Sequence, residues 1–318
     1  MISDGIRYNP SEATAKIKEK ALQLGFSACG IAKVRPLDED SEYLDAWIRG
    51  GKSGRMGYLS NHTEKRNDPS VLFPGAKSVI VVLLNYASGR QPVANSFKVA
   101  KYAHGRDYHF VLKQFLGELH RFICDEITPA EGRPFCDSAP VFERRWAYEA
   151  GLGWIGLNHC LIHPRFGSFC FIAELIVDLE LEYDSPLEGN CGQCCRCLKA
   201  CPTKALEEGR AIDAKKCIAY LTIELKDEIP EQLQGKLGGS IAGCDRCQDV
   251  CPWNKHAAES ISPLWEVDPE LMQMTDEDWR KLDKSAFKAK FANSALTRLG
   301  YAKLRQNCSY IVDKERYR

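Results

Sequence analysis

Cysteines in one short segment are the residues of this chain whose spacing most directly predicts chemistry. Residues 191–202 read CGQCCRCLKACP, and four of the cysteines follow the spacing C-x2-C-x2-C-x3-C-P. This spacing is typical of bacterial ferredoxins, in which three thiolates hold one [4Fe–4S] cluster and the fourth holds a second cluster. The four residues are Cys191, Cys194, Cys197 and Cys201. A second set of cysteines should therefore follow.

The second set lies further along the chain. Cys244, Cys247 and Cys251 have the spacing C-x2-C-x3-C before Pro252, and the isolated Cys217 supplies a fourth thiol. Because the last cysteine of each run crosses to the other cluster, the eight thiols divide into two groups. We define the first thiol group as Cys191, Cys194, Cys197 and Cys251, and the second thiol group as Cys201, Cys217, Cys244 and Cys247.

Zinc is the alternative occupant, because zinc sites also use CxxC pairs with four ligands per ion. Zinc explains neither the triple run nor the two Cys-Pro endings, so the spacing favours iron–sulfur clusters. Cys195 could replace Cys194 by a slip of one residue, but only the 191/194/197 register keeps both x2 spacings. We expect the remaining cysteines, at positions 29, 124, 136, 160, 170 and 308, to be packing residues.

The composition is that of a globular protein. The chain has 318 residues, of which 44% are hydrophobic and 27% are charged, so it can bury a sizeable core. No stretch approaches the length of a membrane span, and the first 25 residues lack the apolar region of a secretory signal. We therefore expect a cytoplasmic protein without membrane association, in which fifteen cysteines indicate metal or redox chemistry.

Helical and strand patterns alternate before the cysteines, which indicates an α/β first domain. Helices are predicted over 9–25 with Asn9 as the cap, over 108–127, and from about residue 140. The second helix should bury Val111, Phe115, Leu119 and Phe122. Strands are predicted over 26–32, 78–86 and 133–137, with a pair formed by 160–163 and 168–177. No G-x-G-x-x-G follows a strand, so a Rossmann cofactor site is not supported.

The formal net charge is zero, but the end of the chain is basic. Residues 280–318 contain eleven Lys and Arg against three acidic residues. This segment is either a solvated helical tail or a contact surface for nucleic acid.

Taken together, the chain resembles the epoxyqueuosine reductases, which are cobalamin-dependent iron–sulfur enzymes of tRNA modification. The resemblance rests on GYLSNHTEKRNDPSVLFPGAKSVIV, GRDYH, CDSAPVFERRWAYEAGLGWIGLN, GSFCFIAELI, the ferredoxin run, CIAYLTIE and GCDRCQDVCPWN, and spans roughly residues 10–255. It implies an α/β (α+β) protein with three parts. These are a nitroreductase-like cobalamin-binding domain over 1–183, a ferredoxin-like domain with two [4Fe–4S] clusters over 184–262, and a basic helical tail over 263–318.

The resemblance also implies a reaction, the reduction of epoxyqueuosine to queuosine at the wobble position of tRNA. Electrons from an external low-potential donor would pass through both clusters to give cob(I)alamin, and a tRNA anticodon stem-loop would present the substrate to a monomeric enzyme. The alternative is a corrinoid iron–sulfur reductase of the reductive dehalogenase type, acting on a small molecule. Such an enzyme should carry a tyrosine acid and usually an export signal, and neither is evident.

Asp137, in CDSAP, matches the family's proposed proton donor. That role needs a raised pKa, which burial over the corrin beside Cys136 and Pro140 would favour. The alternative is a helix cap before Pro140, because aspartate is a natural capping residue. The matching motifs imply further residues around the cofactor, namely Arg66, Asp107, His109, Arg144, Asn158, Tyr220, Asp245 and Arg246.

Several of these matches have simpler alternatives. Arg66 could form a surface ion pair, Arg144 could pair within its helix, and His109 could be structural. Lys226 matches a tRNA-contacting lysine but could equally be a solvated side chain. The chain departs from the family at Leu157, where a lysine is usual, so one hydrogen-bond donor is lost from the expected pocket wall.

The thiol assignment predicts the metal content of the purified protein. After anaerobic reconstitution, iron and sulfide should each approach roughly eight per chain, as two four-iron clusters require. Cys217→Ser should lose one cluster, whereas Cys195→Ser should keep both. Stoichiometric zinc with little iron would refute the assignment.

Overall fold

A computed structural model describes residues 8–94, 96–209 and 211–311. The charged residues of the basic tail from position 313 onward lie outside the described residues. The helices of the first part are α1 Pro10–Gln23, α2 Asp38–Arg49, α3 Thr63–Asn67, α4 Pro69–Leu72, α5 Tyr108–Glu126 and α6 Glu143–Glu149. The strands of that part are β1 Ala28–Lys33, β2 Ser78–Asn85, β3 Lys98–Val99, β4 Gly132–Phe135, β5 Trp154–Ile155, β6 Leu161–Ile162 and β7 Cys170–Val177.

The cysteine-rich segment and the tail consist mostly of short helices. Their helices are α7 Arg196–Ala200, α8 Glu231–Gln234, α9 Arg246–Asp249, α10 Pro252–Lys255, α11 Pro269–Gln273, α12 Asp276–Lys281, α13 Lys284–Lys290, α14 Leu296–Leu299 and α15 Tyr301–Ser309. Their strands are β8 Leu206–Glu207, β9 Ala211–Ile212 and β10 Ser240–Ala242. No helix of the described part is long and apolar enough to cross a membrane.

One four-stranded antiparallel sheet organises the first part, in the order β1-β2-β7-β4. All eight residues of β2 are buried, because helices cover both faces of the sheet. α1 and α5 pack on one face, against residues such as Ile80 and Val82, and α6 packs on the other, against Val79 and Val81. The predicted mixture of helices and strands is confirmed, and Asn9 caps α1 by accepting N–H groups from Ser11 and Glu12.

The predicted buried face of α5 is wrong except at Leu119. The residues of α5 that are fully buried against the sheet are Leu112, Leu116, Leu119 and Ile123. Phe115 is only partly buried at the edge of this core, and Phe122 lies under the Lys20 ammonium group. α5 carries apolar residues on two adjacent faces, so helical periodicity alone could not decide which face meets the sheet.

The predicted pairing of residues 160–163 with 168–177 is also wrong. β6 pairs with β5, and β7 lies in the large sheet between β2 and β4. An isolated bridge between His163 and Gly167 closes the turn that separates the two predicted strands. The turn at 163–167 therefore redirects the chain to another sheet instead of closing a hairpin.

The tail packs into the protein, so its interpretation as a solvated helix is wrong. Trp279, Phe287, Phe291 and Leu304 form one core with apolar residues from before α5 and from β10. The parallel pairing of β10 with β3 belongs to the same core. This packing brings residues 293–298 against the start of α5, where the Asp107 N–H donates to the Asn293 carbonyl oxygen at 2.7 Å.

Candidate active site

The structure brings the first thiol group together. Cys191, Cys194, Cys197 and Cys251 line one cavity, whose wall also includes Leu157 and other neighbours. The further lining residues are Asn158, Ile162, Arg196, Pro252 and Trp253. The short helices α7, which contains Cys197, and α9, which contains Cys247, pack against each other and so bring the two cysteine runs into contact.

The members of the second thiol group are also neighbours. Cys217 lies within electrostatic range of Cys201, and Cys247 within range of both Cys217 and Cys244. The Ala205 N–H donates to the Cys201 sulfur at 3.3 Å, and such bonds lower the pKa of Cys201 although burial raises it. Backbone N–H groups directed at sulfur are typical of iron–sulfur ligands, because they stabilise thiolate charge.

Backbone N–H groups also reach the first thiol group, at Cys251 from Trp253 and Asn254. In the described parts of the chain, no three His, Cys, Asp or Glu side chains are gathered as ligands of a single metal ion. Cys195 does not line the cavity of the first thiol group, in agreement with its predicted role as a bystander.

A buried histidine held between two carboxylates forms the centre of the candidate active site. His109 is 3% exposed, and its Nδ1 lies 2.5 Å from Oδ1 of Asp107, while its Nε2 lies 2.8 Å from Oδ2 of Asp137. Asp107 is the N-cap of α5 and also accepts the His109 backbone N–H. Since ionised carboxylates only accept hydrogen bonds, both contacts are satisfied together only when both ring nitrogens carry protons.

The protein groups around Asp137 lower its pKa, and the raised pKa expected from burial over the corrin stays a prediction. Partial burial of the carboxyl group does raise the pKa, but hydrogen bonds from His109 and Tyr108 and the charges of His109 and Arg298 outweigh it. The Asp137 side chain remains 53% exposed, so it can meet a substrate. At neutral pH this residue is therefore a carboxylate that faces solvent with a buried proton-bearing ring behind it.

Asp137 is not a helix cap. α6 begins at Glu143 with Phe142 in the N-cap position, and no side chain caps it. Asp137 lies in the connection between β4 and α6 with a φ of +56°, a left-handed conformation that is uncommon for residues other than glycine. Its backbone N–H donates to Oε1 of Glu143, so that Glu143 holds the connection that presents Asp137.

Arg66 and Tyr220 support the walls around this site. Arg66 is 7% exposed and donates from Nη1 to the carbonyl oxygens of Leu59 at 2.8 Å and Asn61 at 3.3 Å, so the surface ion pair is excluded. Tyr220 is buried, and its hydroxyl accepts the Arg55 N–H at 2.8 Å. Tyr220 thereby joins the cysteine-rich segment to the connection after α2.

Asp245 and Arg246 lie between the second thiol group and the first domain. Asp245 accepts the Lys101 N–H at 2.7 Å, and burial raises the pKa of Asp245 to about 6. Arg246 donates from Nη2 to the Gly238 carbonyl oxygen at 3.5 Å. Tyr102 lies within electrostatic range of both Asp245 and Asp137.

Leu157 and Asn158 lie beside the first thiol group, and Arg144 contacts the next residue of the chain, His159. Arg144 donates from Nη1 to the His159 carbonyl oxygen, so it does not form the alternative pair within its own helix. Asn158 is 6% exposed and its amide nitrogen has no hydrogen-bond partner among the described residues. Asn158 and Leu157 line the cavity of the first thiol group, so the departure at 157 places an apolar side chain beside these cysteines.

Lys226 and the basic residues of the tail differ in how exposed they are. Lys226 is exposed, and its ammonium group donates to the Ile223 carbonyl oxygen at 3.2 Å. Lys290 pairs with Glu270 at 2.6 Å, and Lys303 is only 6% exposed. Arg298 is exposed and its Nε lies 3.8 Å from Oδ2 of Asp107, so one basic residue of the tail reaches the candidate active site.

Sequence reasoning did not identify two acidic residues behind Asp137. Burial raises the pKa of Glu143 to about 8, and the charge of Asp137 adds to this effect. Glu174, on β7, is 0% exposed, neither of its carboxyl oxygens has a hydrogen-bond partner among the described residues, and burial raises its pKa. The signal that could have revealed Glu174 is a single acidic residue within the apolar strand CFIAELIV.

Comparison with known proteins identifies the family. One family model, described as a 4Fe-4S double cluster binding domain, matches residues 190–254, and another, described as Epoxyqueuosine reductase QueG, DUF1730, matches residues 66–138. A curated epoxyqueuosine reductase of Cellulophaga algicola is 46% identical over 295 residues, covering 93% of this chain and 96% of that protein. The fold and the double-cluster domain thus define an iron–sulfur oxidoreductase. More particularly, the chain belongs to the epoxyqueuosine reductase family.

Solved structures share the same fold. A crystal structure of epoxyqueuosine reductase with an epoxyqueuosine-modified tRNA stem-loop has a TM-score of 0.89 at 29% identity, covering 95% of this chain and 81% of that chain. A Bacillus subtilis epoxyqueuosine reductase, whose catalytic aspartate loop is swung out of the active site, has a TM-score of 0.88 at 28% identity with the same coverage. A reductive dehalogenase, at 18% identity and a TM-score of 0.51, covers 94% of this chain and 38% of that chain and shares the fold alone.

The raised pKa of Glu143 predicts a pH-dependent loss of stability. The folded protein binds this proton more tightly than the unfolded chain, whose Glu pKa is near 4.5, so the free energy of unfolding should fall as pH rises from about 5 to 8. Glu143→Gln removes this titration and should gain ~1–3 kcal/mol relative to the wild type across that range. Urea unfolding at several pH values measures it.

The exposed Glu19 provides a matched control, since Glu19→Gln should follow the wild type at every pH. If the free energy of unfolding changes with pH in the same way in the wild type and in Glu143→Gln, ionisation of Glu143 does not destabilise the folded protein, and the prediction is wrong.

Proposed function

We propose that this protein reduces epoxyqueuosine to queuosine at the wobble position of tRNA, with two [4Fe–4S] clusters and cobalamin as its cofactors. The proposal rests on one observation above all, the chain of Asp107, His109 and Asp137 in a member of the epoxyqueuosine reductase family. This chain can deliver a proton from a buried ring to an exposed carboxylate, which is what removal of an epoxide oxygen requires.

The residues present fit these cofactors. Eight thiols in two groups, with backbone N–H groups directed at their sulfurs, suit two clusters. Three groups could contact a large polar cofactor. They are the exposed carboxylate of Asp137, the exposed ring of Tyr58, which lies within electrostatic range of Asp137, and the buried amide of Asn158, whose nitrogen has no partner among the described residues. Bound cobalamin would supply the reducing equivalents that reach it through the clusters.

The residues predicted to hold cobalamin divide by what they do. Arg66 and Tyr220 keep the connection after α2 against the cysteine-rich segment, and Arg144 keeps residue 159 in place. Asp245 holds the backbone at Lys101, beside the second thiol group. These contacts support positioning of the cofactor walls, and they leave Asp137 as the residue open to substrate.

Asp137 and His109 act in this proposal as one proton donor. The carboxylate alone has a lowered pKa and carries no proton at neutral pH, so the proton comes from Nε2 of His109 through the 2.8 Å contact. Asp107 holds Nδ1 of the ring and stabilises its positive charge before the proton leaves. The proton passes through Asp137 to the oxygen that departs from the epoxide.

Replacing Asp137 tests this role. Asp137→Asn keeps the size of the side chain but cannot carry a proton, so turnover of epoxyqueuosine tRNA should fall ~10²–10⁴-fold. Cobalamin binding, followed by absorbance, should change little. Asp125→Asn, at an exposed position on α5, should turn over like the wild type. Full activity of Asp137→Asn would move the donor role to another residue, with His109 and Tyr220 the next candidates.

An RNA loop is the partner that the surface beside the site suits. We define the site rim as Arg106, Phe110, Lys113 and Arg298. Arg106 and Phe110 are exposed and flank Asp107 and His109 in the chain, Lys113 contacts the Ser138 hydroxyl, and Arg298 lies beside Asp107. Phe110 is 73% exposed and follows His109 directly, so its ring can stack on an unpaired base. The three basic residues can neutralise the adjacent phosphates. Lys226, which is not part of the site rim, remains a predicted tRNA contact.

Salt dependence tests the site rim. Replacing Arg106 and Lys113 with Gln removes two phosphate contacts, so the slope of log K against log salt should become shallower by roughly 1.4 for a single-stranded loop. Binding of an epoxyqueuosine-modified stem-loop across a salt series measures the slope. The control is Lys16→Gln with Arg121→Gln, which removes the same charge from exposed positions on α1 and the far part of α5. Equal slopes for the two double variants would place the RNA elsewhere, with Lys226 as the next candidate.

A further inference from the structure

The connection between β4 and α6 is anchored by the buried Cys136 and by the packing of Ala139, Val141 and Phe142, and hydrogen bonds hold the part around Asp137. Within it, Ser138 donates its N–H to the Cys136 carbonyl oxygen at 2.6 Å, and Val141 donates to Ala139 at 2.8 Å. The hydrogen bonds from other elements are those of His109 and Tyr108 with the Asp137 carboxylate, Lys113 with the Ser138 hydroxyl at 3.3 Å, and Glu143 with the Asp137 N–H. The Cys136 thiol also donates to the Ile172 carbonyl oxygen at 3.7 Å. Of these contacts, only that of Glu143 holds the backbone of Asp137.

Glu143 is well placed to hold that backbone. It is the first residue of α6, and α6 is anchored to the sheet through the buried Trp146 and Ala147. The Glu143 carboxyl is therefore attached to a rigid element, whereas Asp137 belongs to the loop and has the uncommon φ of +56°. A residue in this conformation needs a partner that compensates for its backbone strain.

Glu174 lies behind this contact and limits how the acidic groups can ionise. β7 pairs Glu174 with Val81 and Phe135, so its side chain projects to the face of the sheet that α6 covers. It is fully buried and its carboxyl oxygens have no hydrogen-bond partner in the described chain, so it can remain there only as a neutral acid. A second negative charge beneath Glu143 is thereby avoided, and Glu143 can accept the Asp137 N–H.

We propose that Glu143 is a positioning residue, whose carboxyl group holds the loop of residues 136–142 in the inward position that presents Asp137. The inference rests on the proposed function, in which Asp137 meets the substrate. A loop of this kind has two positions in the family, because the Bacillus subtilis relative has its catalytic aspartate loop swung out of the active site. Outward movement of residues 136–142 would break the contact between Glu143 and Asp137, so this contact sets the fraction of protein that is ready to react.

Hydrogen–deuterium exchange of the full chain without substrate tests the proposal. In Glu143→Ala the peptide that covers 136–142 should exchange about 10- to 100-fold faster than in the wild type, because the Asp137 N–H is left without its acceptor. Glu143→Gln should restore slow exchange, since its amide oxygen still accepts the N–H. Turnover should follow the same order, with the Ala variant lower in kcat and the Gln variant close to the wild type.

Two further variants separate this role from simple support of the helix. Glu149→Ala, at the other end of α6, removes ion pairs with Arg35 and Arg145 and should leave exchange of 136–142 unchanged. Glu143→Asp keeps a carboxyl group at the helix N-terminus but is one methylene shorter, so exchange of the loop should be fast. It also serves if Glu143→Ala folds poorly.

Slow exchange of the loop in both Glu143→Ala and Glu143→Asp would overturn the proposal, as would equally fast exchange in Glu149→Ala. Because exchange is measured without tRNA or cofactors, its outcome does not depend on the reaction. Failure of the proposed function would appear separately, as full turnover by Asp137→Asn.

Discussion

The hydrogen bond between Nε2 of His109 and the Asp137 carboxylate is the interaction on which the candidate active site depends. It joins the first turn of α5 to the connection after β4, two segments that are 28 residues apart in the chain. Asp107 fixes the other side of the ring and caps the same helix, so the start of α5 and the orientation of the ring are set together. Any shift of α5 over the sheet would therefore move the proton away from the exposed carboxylate.

The position of α5 depends in turn on parts of the chain that are distant in sequence. Leu112 and Leu116 hold it on the sheet, while residues 293–298 of the tail bind the backbone of Asp107 and bring Arg298 beside it. The tail is itself packed on β10, which ends just before the second pair of CxxC cysteines. The chain of Asp107, His109 and Asp137, the thiol groups and the basic tail are thus parts of one packed unit.

Features set by local spacing could be predicted from the sequence. The two cysteine runs follow from ligand spacing, and the cap of α1 follows from Asn9 before Pro10, because each depends on residues close together in the chain. The buried face of α5 could not be predicted, since two of its faces are apolar and only the sheet chooses between them. The contacts that lower the pKa of Asp137 could not be predicted for a similar reason. Burial alone raises the pKa of a carboxyl group, and the opposing contact with His109 exists only in the folded chain.

The most direct test of the account is a double-mutant cycle on single turnover of the reduced, cobalamin-loaded protein with epoxyqueuosine stem-loop. His109→Gln can still donate a hydrogen bond to Asp137 but has no proton to give, and Asp137→Asn cannot relay one. If the two residues act as one donor, the double variant should be no slower than Asp137→Asn alone, because residues that act as a unit are strongly non-additive. Losses that multiply in the double variant would show that His109 and Asp137 act independently, and would contradict the account.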